Sequence, residues 1–460
     1  MHNGVVTLHP AGGPAMSLWT IPPLMSAIVA DLAAMLDRRS EARFWSVVFG
    51  VLLCREKRRT ASAWFRAAGI GADFRRTYAV LNSVGRRVQS QGLVMLLAIN
   101  RVVGKPTSRY VFALDDTVTK RYGPCVEGAG VHRNPTPGPA AQNWVYGHVW
   151  VTLACVVHHA CWGAIALPVQ AALYVRKKNL GTIPPEYQWK FRTKLELAVE
   201  LIDWLVSWLR HTGQAIWLVV DGAYATRVVL RAAKKRAVTV VSRLRRDAAL
   251  WTLPEEQRPK GKRGPKPKYG DHKIRLAKRA GSKGGWITEE VEVYGRLEEK
   301  TYKTFLATWP PAGGVIRVVL VKHDDGWVAY FCTDANATAA DILGLVSDRA
   351  TIEQVFHDVK EIWGAGQQQL RQVYANVGAW HLNLWAHTLV ELWAWDRPEE
   401  ELVDRSASPW DAEWRRPSHA DRRRAMLRET LRAEIQAATS GPGQTAKLTA
   451  LAERLLLLAA

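Results

Sequence analysis

The chain has 460 residues, enough for a large buried core and more than one domain. A hydrophobic share of 48% excludes wholesale disorder. The 63 Lys and Arg against 42 Asp and Glu leave a formal net charge of +21, which calls for a polyanionic partner or, in competition, an acidic membrane surface.

Five cysteines (Cys54, Cys125, Cys155, Cys161 and Cys332) are scattered without a C-x-x-C pair, which suits a reducing cytosol and gives neither a disulfide framework nor a zinc knuckle. The opening MHNGVVTLHPAGGPAMSLW lacks a basic stretch followed by an apolar core, so no signal peptide is expected. The most apolar stretch, Val145 to Val175, is broken by His148, His158, His159 and Pro168 and reads as buried strands, not a membrane span.

In chain order, residues 17–104 have helical periodicity, with basic clusters at Arg55, Lys57, Arg58 and Arg59 and at Arg75, Arg76, Arg86 and Arg87. They suit either a DNA-contacting helical domain or a plain helical cap. Residues 109–175 read as three strands, RYVFALDD, NWVYGHVWVTLACVVHH and CWGAIALPVQAALYV, the first two separated by a Gly/Pro-rich loop. A helix over 190–211, the strand QAIWLVVD, the helix TRVVLRAAKKR and the strand AVTVVSRL follow. Alternating strands and helices predict an α/β core. Within 252–312 the stretch RPKGKRGPKPKYGDHKIRLAKRAGSKGG carries twelve Lys, Arg and His against one Asp, and strands flank it. VIRVVLVK and GWVAYFCTD predict a hairpin, residues 338–363 and 373–395 predict helices, and 399–460 is a charged, then Ala/Leu-rich helical tail.

Three acidic positions stand out. Asp115 and Asp116 end one apolar strand, Asp221 ends another, and Glu353 lies mid-helix. Carboxylates at the ends of central strands project where ligands collect. Cutting a phosphodiester needs an activated oxygen nucleophile and a stabilised leaving oxygen, and two Mg²⁺ about 4 Å apart supply both. Such ions need few carboxylates, the remaining positions going to water and phosphate oxygens. Arg349, Glu353 and Lys360 are spaced to share one helix face, where a carboxylate between two cations can serve metal and phosphate. An ordinary surface ion-pair ladder has the same spacing.

These motifs resemble the DDE transposases of bacterial insertion sequences, in particular the group whose RNase H-like domain is interrupted by a β-rich insertion. That group's third motif runs Tyr, two residues, Arg, three residues, Glu, six residues, Lys. Arg349, Glu353 and Lys360 match it, and Val346 stands at the Tyr position. The first motif, Asp, any residue, Thr after an apolar strand, fits Asp115, Asp116 and Thr117, with Asp115 the preferred ligand and Asp116 the alternative if the register shifts by one. The second is Asp221, Gly222, Ala223, Tyr224. Glu353 follows Asp221 by 132 positions, a spacing that a β-rich insertion explains. The resemblance spans residues 110–390.

The resemblance implies an α/β fold: an RNase H-like core with a β-rich insertion, flanked by N- and C-terminal helical regions. The expected layout is 1–104 helical, 105–250 first part of the core, 251–335 basic insertion, 336–397 last part with the Glu helix, and 398–460 helical tail. It further implies Mg²⁺ or Mn²⁺ on Asp115, Asp221 and Glu353, phosphate on Arg349 and Lys360, and a homodimer or larger assembly on double-stranded DNA. That DNA would be transposon inverted-repeat ends and target DNA, and no membrane would be involved. Lys120 and Arg121, just after the first motif, are candidates for the scissile phosphate, and Lys260, Lys262, Arg263, Lys266 and Lys268 for DNA backbone. Glu127 and His132 are further candidates to approach the site, His158 and His159 read as turn residues, and Trp286 or Trp309 are candidates to stack on a flipped base. A nuclease that cuts without joining, or an inactive DNA-binding derivative, are the alternative functions.

Overall fold

The structure is a computed structural model, which describes residues 19–71, 74–134, 143–255, 267–403, 405, 410–412 and 414–459. Four helices come first: α1 (Pro23–Ala33), α2 (Arg38–Leu53), α3 (Ala61–Ala67) and α4 (Phe74–Val102). Four strands follow, β1 (Arg109–Lys120), β2 (Gly130–Arg133), β3 (Trp144–His159) and β4 (Gly163–Tyr174). Next come α5 (Lys194–Leu209), β5 (Ala215–Val220), α6 (Arg227–Lys235) and β6 (Val238–Leu244). The segment after β6 holds β7 (Leu250–Trp251), β8 (Lys273–Ile274), α7 (Leu276–Gly281), β9 (Ile287–Val293), β10 (Arg296–Trp309), β11 (Gly314–His323) and β12 (Gly326–Cys332). The chain closes with α8 (Ala339–Asp348), α9 (Ala350–Glu361), α10 (Val373–Ala394), α11 (Glu399–Leu402), α12 (His419–Thr439) and α13 (Gln444–Ala459).

The central five strands are ordered β4-β3-β1-β5-β6. β1 pairs antiparallel with β3, and β3 with β4, whereas β1–β5 and β5–β6 are parallel. This is an RNase H-like α/β core. Parallel pairs need crossovers, and the helices α5 and α6 supply them. The strands of the basic segment do not form a separate body. β12 hydrogen-bonds to β6, and β11, β10, β7 and β8 continue outward, so one twelve-stranded sheet runs through core and insertion. The expected β11–β12 hairpin is present, with Val319 opposite Tyr330.

The sequence pattern predicts one helix over 338–363; the structure breaks it at Arg349 into α8 and α9. The Thr351 hydroxyl donates to the Asp348 carbonyl at 2.6 Å, a local bond that competes with the helical ladder at the joint.

The axis of the packing is α10. All its residues but Tyr374 are buried, because it is apolar around its whole circumference. Trp380 stacks on Trp150 of β3 with centroids 5.1 Å apart, and two of the buried polar groups bond to β4: His381 meets Gln170 at 2.6 Å, and Thr388 donates to the Pro168 carbonyl at 3.0 Å. Among the described residues no helix is long and apolar enough to cross a membrane. The N-terminal helices share this core, with α4 crossing α10 at two glycines. A Cβ on Gly85 would lie 1.8 Å from the Tyr374 carbonyl oxygen, and one on Gly378 2.1 Å from that of Leu81.

Gly378→Ala should therefore force the two helices apart and cost about 1–3 kcal/mol, whereas Gly71→Ala, with open space around it, should be nearly silent. Equal unfolding midpoints for the two variants in denaturant would show that backbone contact does not set this crossing.

Candidate active site

The pairing of β1 with β5 ends at Leu114 opposite Val220. One residue further lie Asp115 and Asp221, so the ladder delivers two carboxylates to neighbouring positions, with strands about 4.8 Å apart. β5 stops there, while β1 continues to Lys120 against β3 alone. The carboxylates thus stand where the sheet loses a strand, at the carboxyl ends of parallel strands.

Alternation along β1 separates the two candidate first ligands. Asp115 Oδ2 accepts from Arg349 Nη1 at 2.7 Å, and Arg349 Nη2 lies 2.9 Å from Glu353 Oε1. Two residues along, Thr117 Oγ1 accepts from Lys360 Nζ at 2.6 Å. Asp115, Thr117, Arg349, Glu353 and Lys360 therefore meet between β1 and α9. Asp116 points the other way. Its Oδ1 accepts from the buried Tyr224 hydroxyl at 2.7 Å and its Oδ2 from Lys194 Nζ at 2.5 Å. Asp221 Oδ2 accepts from the Ala223 amide at 3.1 Å, which shapes the turn that brings Tyr224 inward. Lys194 and the Tyr224 contact lie outside what the motif spacing could indicate: they reach Asp116 across 78 and 108 residues of sequence.

Burial drives the Asp115 carboxyl up from its ordinary 3.8 to about 6, and the charges of Asp116 and Asp221 push the same way, against the Asp116 amide and Arg349. Burial also raises the Tyr224 hydroxyl, which stays a neutral donor, and lowers Lys360. A half-buried carboxylate with acidic neighbours and a raised pKa suits a cation-binding position. The donor set is all oxygen, as a hard divalent ion prefers. The three carboxylates do not converge on one point: Arg349 stands between Asp115 and Glu353 as their counter-ion. Two ions sharing Asp115 would need only two protein carboxylates each.

Several expected site residues lie elsewhere. Arg121 is buried, its guanidinium donating to His148 Nδ1 at 3.1 Å and to the carbonyls of Lys120 and Gly366 at 3.1 and 2.6 Å. This corrects its expected place on the phosphate, for the group is spent on internal acceptors. Lys120 is exposed at the end of β1. Glu127 is buried and caps the Val373 amide at 2.8 Å, and His132 is buried, its pKa held down at about 4 chiefly by that burial. Both are parts of the packing. His158 and His159 end β3 instead of forming the turn; His158 meets Asp348 at 2.9 Å and His159 the Trp395 carbonyl at 3.0 Å. Trp309 packs against Phe331 in the core, which removes it as a stacking platform, and Trp286 lies under the Lys303 ammonium. Lys268 is exposed, and Lys260, Lys262, Arg263 and Lys266 lie outside the described residues.

Among the described residues one trio of ligand-type side chains has donor atoms within 4.8 Å of one another: His387, Glu391 and His419. It is a poor metal site. The two imidazoles stack at 4.0 Å and 17°, and an ion about 2.1 Å from each nitrogen would have to lie in both ring planes. His419 Nε2 already accepts from Trp363 at 2.8 Å, its Nδ1 faces Glu391 at 2.6 Å, and Arg422 occupies the other Glu391 oxygen at 2.6 Å. The cluster is a buried ion-pair network joining α10 and α12.

Residues 31–300 match the family model described as DDE superfamily endonuclease. The match takes in Asp115 and Asp221 and ends before Glu353. A search of curated proteins found no match.

Because the raised pKa makes ionised Asp115 a destabilising group, its contribution to stability is fully present below about pH 3.8 and is lost as pH rises through about 6. At pH 8 the metal-free Asp115→Asn protein should be more stable than the native one by up to about 3 kcal/mol, the gap closing near pH 4. Urea unfolding at both pH values tests this. A variant no more stable at pH 8 would remove the charge repulsion from the site.

Proposed function

Since this chain belongs to the DDE superfamily endonucleases, we propose that it is a transposase that hydrolyses phosphodiester bonds at the ends of a DNA element and joins the freed 3′-hydroxyl to target DNA. The observation that carries this reading is the adjacency of Asp115 and Asp221 at the end of the β1–β5 ladder, with Glu353 tied to Asp115 through Arg349. In this reading Asp115, Asp221 and Glu353 hold Mg²⁺ or Mn²⁺, and Asp116 serves the fold. Bound there, the ions would lower the pKa of a water or 3′-hydroxyl and stabilise the leaving oxygen.

The chain's own residues have separable tasks. Tyr224 and Lys194 grip Asp116 and so fix the β1 backbone that carries Asp115. Arg349 shields the two carboxylates from one another until a phosphate oxygen competes for its guanidinium, which then grips the scissile group. Lys360, held on Thr117 within reach of the same face, offers a second cation for phosphate. The net charge of +21 draws in the polyanion.

The test is Mg²⁺-dependent cleavage of DNA carrying the ends of the element. Asp221→Asn and Glu353→Gln should bind DNA with near-native affinity and cut at least about a thousandfold more slowly. Cleavage at native rates by either variant would end the proposal. A strand-transfer assay separates the transposase from a nuclease with the same triad, since only the former yields joined products.

A further inference from the structure

Beyond the carboxylates, one surface at the β4 edge of the sheet has no assigned task. Between β4 and α5 the chain makes an irregular excursion, residues 175–193, built from two short 3₁₀ turns. It starts where Tyr174 pairs with Val149, beside the carboxyl end of β1. It is pinned midway, where Thr182 Oγ1 accepts from the Gly128 amide at 2.8 Å. It ends at Lys194, whose ammonium is on Asp116. The excursion therefore leads from the sheet edge to the strand that carries Asp115.

Residues 176–194 contain six Lys and Arg against one acid, Glu186. Lys177, Lys178 and Lys190 are exposed and belong to no ion pair among the described residues, whereas Arg192 is paired with Glu200 at 2.5 Å. Facing Lys190 across a cavity of about 510 Å³ is α4, from which Arg86 stacks over the rings of Tyr187 and Tyr374 at 4.8 and 4.4 Å. Trp189 lines the same groove. An unpaired ammonium beside an aromatic wall, with two more exposed lysines earlier on the same excursion, offers phosphate contacts.

We propose that Lys177, Lys178 and Lys190, with Arg86 opposite, form a track for the phosphate backbone of duplex DNA entering the active site. The proposal rests on the transposase reading and adds a binding surface to it. The contacts are to phosphate and carry no base recognition, so the track serves end and target DNA alike.

The experiment measures affinity for a random-sequence duplex over about 50–200 mM salt, where each phosphate contact contributes about −0.9 to the slope of log affinity against log salt. The triple variant Lys177→Ala, Lys178→Ala, Lys190→Ala should have a slope shallower by about 2–3, so that the native protein loses about 40-fold more affinity than the variant across that range. The control Lys105→Ala, Lys235→Ala, altering two exposed lysines that do not line this groove, should keep the native slope. A native slope in the triple variant overturns the track and leaves the transposase reading intact. A native protein that does not bind duplex DNA overturns both.

Discussion

The parallel ladder between β1 and β5 is the constraint on which the site depends. Backbone hydrogen bonds, indifferent to side-chain charge, bring the chain to Leu114 and Val220 in register, and the next residue on each strand is an aspartate. Two carboxylates one strand spacing apart repel, and burial makes the repulsion worse. The protein meets this with the means at hand: a raised pKa on Asp115, an amide from Asp116 and the guanidinium of Arg349. Sites held in such tension are those where an arriving cation gains most.

The rest of the architecture keeps that tension from relaxing. α9 must hold Arg349 and Glu353 over β1, and it is braced from behind by α10, itself buried almost throughout. His387 of α10 faces Asp358 of α9 at 3.8 Å, and the Glu391–Arg422–His419 cluster ties α10 to the C-terminal α12. Breaking one partner of such a buried cluster is far costlier than replacing all of it. The basic segment after β6 extends the sheet without interrupting it, so the long stretch between Asp221 and Glu353 adds strands at the far edge and leaves the β1–β5 ladder untouched.

Much of this was legible in the sequence, and for identifiable reasons. Apolar runs of strand length ending in a carboxylate located Asp115 and Asp221, because a central strand buried on both faces has little choice of composition. The spacing of Arg349, Glu353 and Lys360 indicated a shared helix face, which α9 turns to β1. What escaped the sequence is tertiary. The grip of Lys194 and Tyr224 on Asp116 depends on how α5 and the turn after β5 are folded back. Arg121 reads, with Lys120, as a candidate for the scissile phosphate, yet it turns inward, where its guanidinium donates to the carbonyl of Gly366 and the ring of His148. The break at Arg349 has no proline or glycine to announce it. The joining of the insertion to β6 is a pairing choice that periodicity does not encode.

The most direct measurement is Mn²⁺ binding to the DNA-free protein by electron paramagnetic resonance, comparing native protein with Asp115→Asn and Asp116→Asn. Asp115→Asn should abolish the binding that native protein shows, while Asp116→Asn should retain it. Loss of binding in Asp116→Asn with retention in Asp115→Asn would place the metal on the opposite face of β1 and contradict the site.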